Sequence, residues 1–185
     1  FVPILERTGA IHHITGLMLE KGIEFASNLR KEGSPCHVSV NVGTSDLLEH
    51  DLVSQVEQVL KLHDARPEDL SLEMTETGLV SEPGPVGIVL HRLREMNIQC
   101  SIDDFGTGYS SLSYLSEFPV TGIKIDREFV GTMLSDSRKR AIVESSVGLA
   151  HAMDLSVVAE GPEDQATLEA LEQKGCDDLA QGYIY

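Results

Sequence analysis

Residues Gln99–Asp126, QCSIDDFGTGYSSLSYLSEFPVTGIKID, carry the pattern that decides the fold class. Gln99–Phe105 and Gly122–Asp126 are short apolar and β-branched runs that close on carboxylates, the first on Asp103 and Asp104, the second on Asp126. Such runs, bounded by turn residues, read as strands. Between them Gly106 and Gly108 suit a turn, and Ser110 and Ser111 suit the cap of a following helix. Strands alternating with helices are the pattern of an α/β fold with a parallel sheet.

The pattern extends in both directions. Further strands are expected at His37–Val42, Leu70–Glu76 and Leu155–Glu160, with a weaker one at Asp178–Tyr183. Helical spacing fills the intervals. Asp46–Leu62 places Leu48, Leu52, Val56 and Leu60 on one stripe, with Asp46 and Glu49 spaced as a capping box. Val89, Leu93 and Met96 share a face after Pro83 and Pro85, and Glu163–Lys174 carries Leu168 and Leu171. Arg138–Met153 presents Ile142, Leu149 and Met153, flanked by Val143, Val147 and Ala150. Ahead of the first strand, Ile11–Arg30 reads as a helix with Ile14, Met18, Phe25 and Leu29 on its apolar side and Gly33 placed to end it. One domain of α/β class is expected, a (β/α) TIM-type barrel that is incomplete here, because six strands fall short of the eight that close such a barrel.

Composition narrows the chemistry. The 185 residues, 41% hydrophobic and 24% charged, make a soluble globular domain with one core. No run reaches the roughly 18 apolar residues of a membrane span, and no signal-peptide pattern opens the chain. Fourteen basic against 30 acidic side chains give a net charge of −16, which argues against a groove for duplex nucleic acid. Cys36, Cys100 and Cys176 form no CxxC pair, which fits a reducing, cytoplasmic setting. The seven histidines have no HxxxH spacing, and adjacent His12 and His13 would point about 100° apart on a helix, so histidine metal ligation is not expected.

The strand ends are where this chemistry gathers. In a parallel barrel, catalytic groups come from the C-terminal ends of several strands. Those ends carry Asn41, then Glu73 and Glu76, then Asp103 and Asp104, then Lys124 and Asp126, then Glu160 with Glu163, and finally Gln181. Any one carboxylate after a strand is explained as a helix cap or turn residue. A converging set would repel itself without cations, and hard oxygen donors favour Mg²⁺ or Mn²⁺. At a strand end, Asp103 and Asp104 could bridge and complete a two-ion centre, or simply open the turn before Gly106.

Together these pieces resemble the EAL domains that hydrolyse cyclic di-GMP. The matching stretches are FVPILE at Phe1–Glu6, SVNV at Ser39–Val42, LEMTET at Leu72–Thr77, DDFGTGYSSLSYL at Asp103–Leu115, KIDREFV at Lys124–Val130, AEG at Ala159–Gly161 and QGY at Gln181–Tyr183. The resemblance implies that Asn41, Glu73 and Asp103 hold one metal, and that Asp103, Asp104 and Glu160 hold a second. It implies that Lys124 orients water and phosphate, with Asp104 and Glu160 also in the catalytic set. It gives Asp126 and Glu163 supporting roles, Glu76 the restraint of the glycine-bearing loop, and Gln181 a substrate contact.

Two Mg²⁺ or Mn²⁺ ions, conversion of cyclic di-GMP to linear pGpG, a homodimer and an accompanying sensory domain are the further expectations from that resemblance. The family's namesake strand would precede Phe1 and its final helix would follow Tyr185. Gly43 stands where serine is common, and Pro162 where a small aliphatic is usual. An EAL-like receptor that binds cyclic di-GMP without cleaving it is the alternative. A different carboxylate-and-Mg²⁺ barrel enzyme, stabilising an enolate, is a more distant one.

Overall fold

The computed structural model describes residues 5, 8–49, 51–107, 112–176 and 179–181. The chain divides into two compact units, Phe1–Met74 with Gly78–Cys100, and Thr75–Thr77 with Ser101–Tyr185.

In the first unit, helix α1 (Ile11–Lys31) precedes strand β1 (Val38–Asn41), helices α2 (Thr44–Glu49) and α3 (Leu52–His63), and strand β2 (Leu70–Thr75). After β2 the chain forms α4 (Glu76–Ser81) and α5 (Pro83–Glu95). Strands β1 and β2 are parallel, with Asn41 the register partner of Glu73. Side chains at paired positions of a parallel ladder share a face, so these two polar residues lie side by side on one surface of the pair.

Helix α1 buries a different face from the expected one. Leu19, Ile23 and Ala26 are fully buried, whereas Met18 is 52% and Phe25 57% exposed. Apolar residues at helical spacing occupy both stripes, so periodicity alone does not choose between them. Glycine does: a Cβ at Gly16 would lie 2.6 Å from Gln55 Nε2, and one at Gly22 3.0 Å from Val38 Cγ1. The side that lacks these Cβ atoms is the side that approaches α3 and β1 closely.

The single helix expected over Asp46–Leu62 is two. Asp51 caps α3 by accepting from the Ser54 N–H at 3.2 Å, which ends α2 before it. Asp46 is not a cap with Glu49 as its partner. It sits within the first turn of α2 and reaches back to accept from the Gly43 N–H at 3.0 Å.

In the second unit, β3 (Gln99–Phe105), β4 (Gly122–Ile125), β5 (Ser156–Glu160) and β6 (Leu179–Gln181) run parallel in sequence order. Helices α6 (Leu112–Glu117), α7 (Arg127–Val130), α8 (Ser137–Ala152) and α9 (Gln165–Gln173) lie between them. The expected strands all form, Gln99–Phe105 at its full length and β1, β2, β4 and β5 shorter by one residue at one or both ends; Asp178, Gly182 and Tyr183 lie outside the described residues. Ile102, Ile123 and Val157 are register partners and are buried together. Helix α8 buries Val143, Ser146, Val147 and Ala150, while Ile142 is 37% exposed, so its buried stripe is again rotated by about one residue.

The α/β class is as expected. Six strands among the described residues, paired in parallel within each unit, are two short of a closed barrel.

Candidate metal centre

Two adjacent aspartates share one mouth because β3 carries a bulge. Ile102 pairs with Ile123 and Phe105 with Ile125, so three steps on β3 match two on β4. One residue is extra. Asp104 takes the left-handed conformation, with φ of 55°, and the alternation resumes with Phe105 facing the same way as Ile102. Both apolar residues are thereby buried, at 6% and 2% exposure, and both carboxylates are left on the other side. A regular strand would have driven Asp104 into the apolar face, where an unpaired charge is costly.

Glu160 reaches the same place from the end of β5. One carboxylate oxygen each from Asp103, Asp104 and Glu160 all lie within 4.8 Å of one another. Lys124 Nζ stands between two of them, 3.2 Å from Asp103 Oδ1 and 2.5 Å from Glu160 Oε1. Its side chain is 5% exposed, projecting from β4 on the face opposite Ile123 and Ile125.

Asp126 follows β4 directly and caps α7, accepting from the Glu128 N–H at 2.6 Å. A protonated Asp104 also donates to Asp126. Burial first, then the charge of Asp103 and this bond to Asp126, hold Asp104 above the usual carboxylate range. Beside the cluster a depression of about 720 Å³ is lined by Asp104, Asp126, Glu163, Thr107, Arg127 and Lys139, among others. Glu163 therefore joins this site from the β5–α9 connection, with Pro162 buried before it. Arg127 and Lys139 were missed at sequence level. Arg127 at least adjoins Asp126 in KIDREFV, whereas nothing in the pattern marks Lys139.

The remaining expected residues fall as follows. Asn41 is exposed at the end of β1, and Glu73, its partner, is 7% exposed. Glu76 is buried at the start of α4, not at a strand end. The loop it was expected to restrain lies outside the described residues over 108–111, as do FVPIL up to Ile4 and the Glu6 that follows Leu5. Gln181 is the register partner of Glu160 in β6.

The donor set suits a hard divalent cation. Among the described residues three carboxylates converge without histidine or thiolate, and the repulsion from Asp103 that adds to burial in raising Asp104 is what a bound cation would relieve.

Comparison with known proteins gives the family. The EAL domain matches over residues 1–185. RocR of Pseudomonas aeruginosa, a cyclic di-GMP phosphodiesterase, is 35% identical over 185 residues, which is 100% of this chain and 47% of RocR. The phosphodiesterase MucR of Pseudomonas aeruginosa, solved in complex with c-di-GMP, superposes with a TM-score of 0.93 at 36% identity, over 98% of this chain and 74% of that one. A manganese and c-di-GMP complex of Klebsiella pneumoniae BlrP1 gives a TM-score of 0.85 at 30% identity, over 98% of this chain and 47% of that one. The chain spans 22% to 47% of the length of such curated relatives. With the EAL domain matched over residues 1–185 and Asp103, Asp104 and Glu160 in one cluster, the chain belongs to the EAL domain family.

Proposed function

We propose that these 185 residues act as one EAL domain that hydrolyses cyclic di-GMP to linear pGpG. The observation that carries the reading is the buried Lys124 bridging Asp103 and Glu160, with Asp104 held beside them by the β3 bulge. Similarity to proteins named as cyclic di-GMP phosphodiesterases supports the choice of substrate.

Asp103, Asp104 and Glu160 would hold one hard cation, Mg²⁺ or Mn²⁺, and the family resemblance adds Asn41 and Glu73, with Asp103, for a second. When bound, such cations supply positive charge that acidifies a water and offsets charge on the phosphate. The chain's own groups do the rest. Lys124 can donate to a phosphate oxygen or orient the water while its two carboxylates fix its position. Glu160 can accept the proton from that water. Attack forms one P–O bond, the bond from phosphorus to the ribose 3′ oxygen breaks, and that oxygen takes up a proton from solvent while Glu160 later returns its own to solvent. Asp126 and Glu163 line the adjoining depression as support for the site, and Gln181 is assigned a substrate contact.

Three further features belong to the same reading: a reducing cytoplasmic setting, supported by three free cysteines; a sensory domain elsewhere in a longer protein, supported by the greater length of the relatives; and homodimer formation. An apolar groove of about 500 Å³ beside Gly106, lined by Phe105, Ile142 and Leu149, supports the last. Among the described residues no helix is long and apolar enough to cross a membrane.

The decisive experiment incubates the complete protein with cyclic di-GMP and Mg²⁺ or Mn²⁺ and separates the nucleotides. Linear product that disappears with chelator supports the enzyme. Tight binding without product would replace it with a receptor.

A further inference from the structure

Asp46 lies in no catalytic motif, yet it is one of the most completely buried carboxylates among the described residues, at 3% exposure. Three donors meet it. His12 Nδ1 is 2.6 Å from Oδ1, Thr15 Oγ1 donates to Oδ2 at 3.0 Å, and the Gly43 N–H donates to Oδ2 at 3.0 Å. An ionised carboxylate only accepts, so the proton of the first bond sits on His12 Nδ1.

Capping a six-residue helix needs one bond from an exposed aspartate. Here the carboxylate is instead buried under two side chains of α1, a helix anchored in the core by Leu19 and Ile23. What this fixes is the chain just past Asn41. The Val42 N–H donates to the Glu73 carbonyl at 2.8 Å, and the Gly43 N–H donates to Asp46. Asn41 is thus held against Glu73 on one side and tied to α1 through Asp46 on the other.

We propose that Asp46 is a positioning residue: with His12 and Thr15 it holds the Gly43 turn so that Asn41 presents its side chain beside Glu73 for a divalent cation. The proposal rests on Asn41 acting as a metal ligand. Outer partners that orient ligands typically alter metal affinity by about 10- to 100-fold when removed.

The test is Mn²⁺ binding by calorimetry to the complete protein, with thermal melting recorded alongside. Asp46→Ala is expected to weaken Mn²⁺ about tenfold. Asn41→Ala is expected to weaken it at least as much, and the double variant no further than Asn41→Ala. Asp46→Asn is expected to stay within roughly threefold of wild type, because its amide can donate to His12 in the other tautomer while its oxygen keeps the Gly43 and Thr15 bonds.

Each other outcome is informative. If Asn41→Ala weakens Mn²⁺ and Asp46→Ala does not, the positioning role is overturned and the ligand reading stands. If Asn41→Ala leaves affinity unchanged, the ligand reading falls and takes the proposal with it. Additive losses in the double variant overturn the coupling. Should Asp46→Ala fail to fold, Thr15→Val and His12→Leu each remove one donor, and unchanged Mn²⁺ affinity in both overturns the proposal.

Discussion

Lys124 Nζ lies 2.5 Å from Glu160 Oε1, an ammonium and a carboxylate brought together from neighbouring strands with little solvent between them. The ammonium also holds Asp103 at 3.2 Å, so one cation serves two of the three clustered carboxylates. Removing it separates binding from chemistry. Lys124→Met is expected to lower turnover of cyclic di-GMP by at least about 100-fold, the scale of a positioned proton or hydrogen-bond donor. Without metal it should destabilise the fold by about 3 kcal/mol, because the carboxylates lose their buried partner. Mn²⁺ affinity should be unchanged or tighter, since Lys124 no longer competes for those oxygens. Asp103→Ala, by contrast, is expected to abolish turnover and metal binding together. A Lys124→Met protein that hydrolyses at the wild-type rate would remove Lys124 from the mechanism.

Asp104 gives a pH-dependent prediction for the metal-free protein. Its folded-state pKa is raised above its unfolded value, chiefly by burial and then by Asp103. The group therefore favours the fold when protonated. That contribution is fully present below the unfolded carboxylate range and is lost as pH rises through the raised value. In chelator, Asp104→Asn should melt a few degrees above wild type at pH 7, and the gap should close on acidification to about pH 4. Mn²⁺ should raise the melting temperature of wild type at pH 7, and raise that of the variant less, because one of its ligands is lost. Lower stability of Asp104→Asn in chelator at pH 7 would mean that the ionised carboxylate is stabilising there.

The strands and their polar ends were legible because their signal is local: a short apolar run closed by a charged residue constrains few alternatives. Which way Asp103 and Asp104 point was not, since strand alternation sends neighbours to opposite faces. The answer depends on an extra residue matched against β4, and no property of DDF alone reveals that mismatch. Helix α1 shows a second limit. Ile14, Met18 and Phe25 form as good an apolar stripe as Leu19, Ile23 and Ala26, and the choice was made by Gly16 and Gly22 approaching α3 and β1. Asp46 was read as half of a capping box for a related reason. Its partners His12 and Thr15 are more than 30 residues away, at a separation no local spacing encodes.

The two stripes of α1 predict opposite responses to the same kind of truncation. Ile23 is fully buried, so Ile23→Ala should cost about 3 kcal/mol in denaturant unfolding, through lost burial and the cavity left behind. Phe25 is 57% exposed, so Phe25→Ala should cost under about 1 kcal/mol despite its larger side chain. The reverse ranking would restore the face expected from periodicity.

Gly161 directly follows Glu160 and tests how tightly the site's framework is packed. Its φ of +73° is one that side-chain-bearing residues rarely adopt, and an added Cβ would lie 2.6 Å from Arg127 Cβ. The contact is with the root of a side chain at the start of α7, next to the Asp126 cap, and cannot be relieved by rotating a flexible tip. Gly33 is the natural control, with φ of +84° and nothing within 4 Å of its added Cβ. Gly33→Ala should cost only the left-handed backbone penalty, about 1 kcal/mol. Gly161→Ala adds overpacking to that penalty and should cost about 3 kcal/mol. Only the Gly161 variant should also lose Mn²⁺ affinity, because relieving the contact displaces either Glu160 or the Asp126 cap. Equal unfolding costs for the two variants would show that the β5–α7 contact has room to give, and that Glu160 is not held by it.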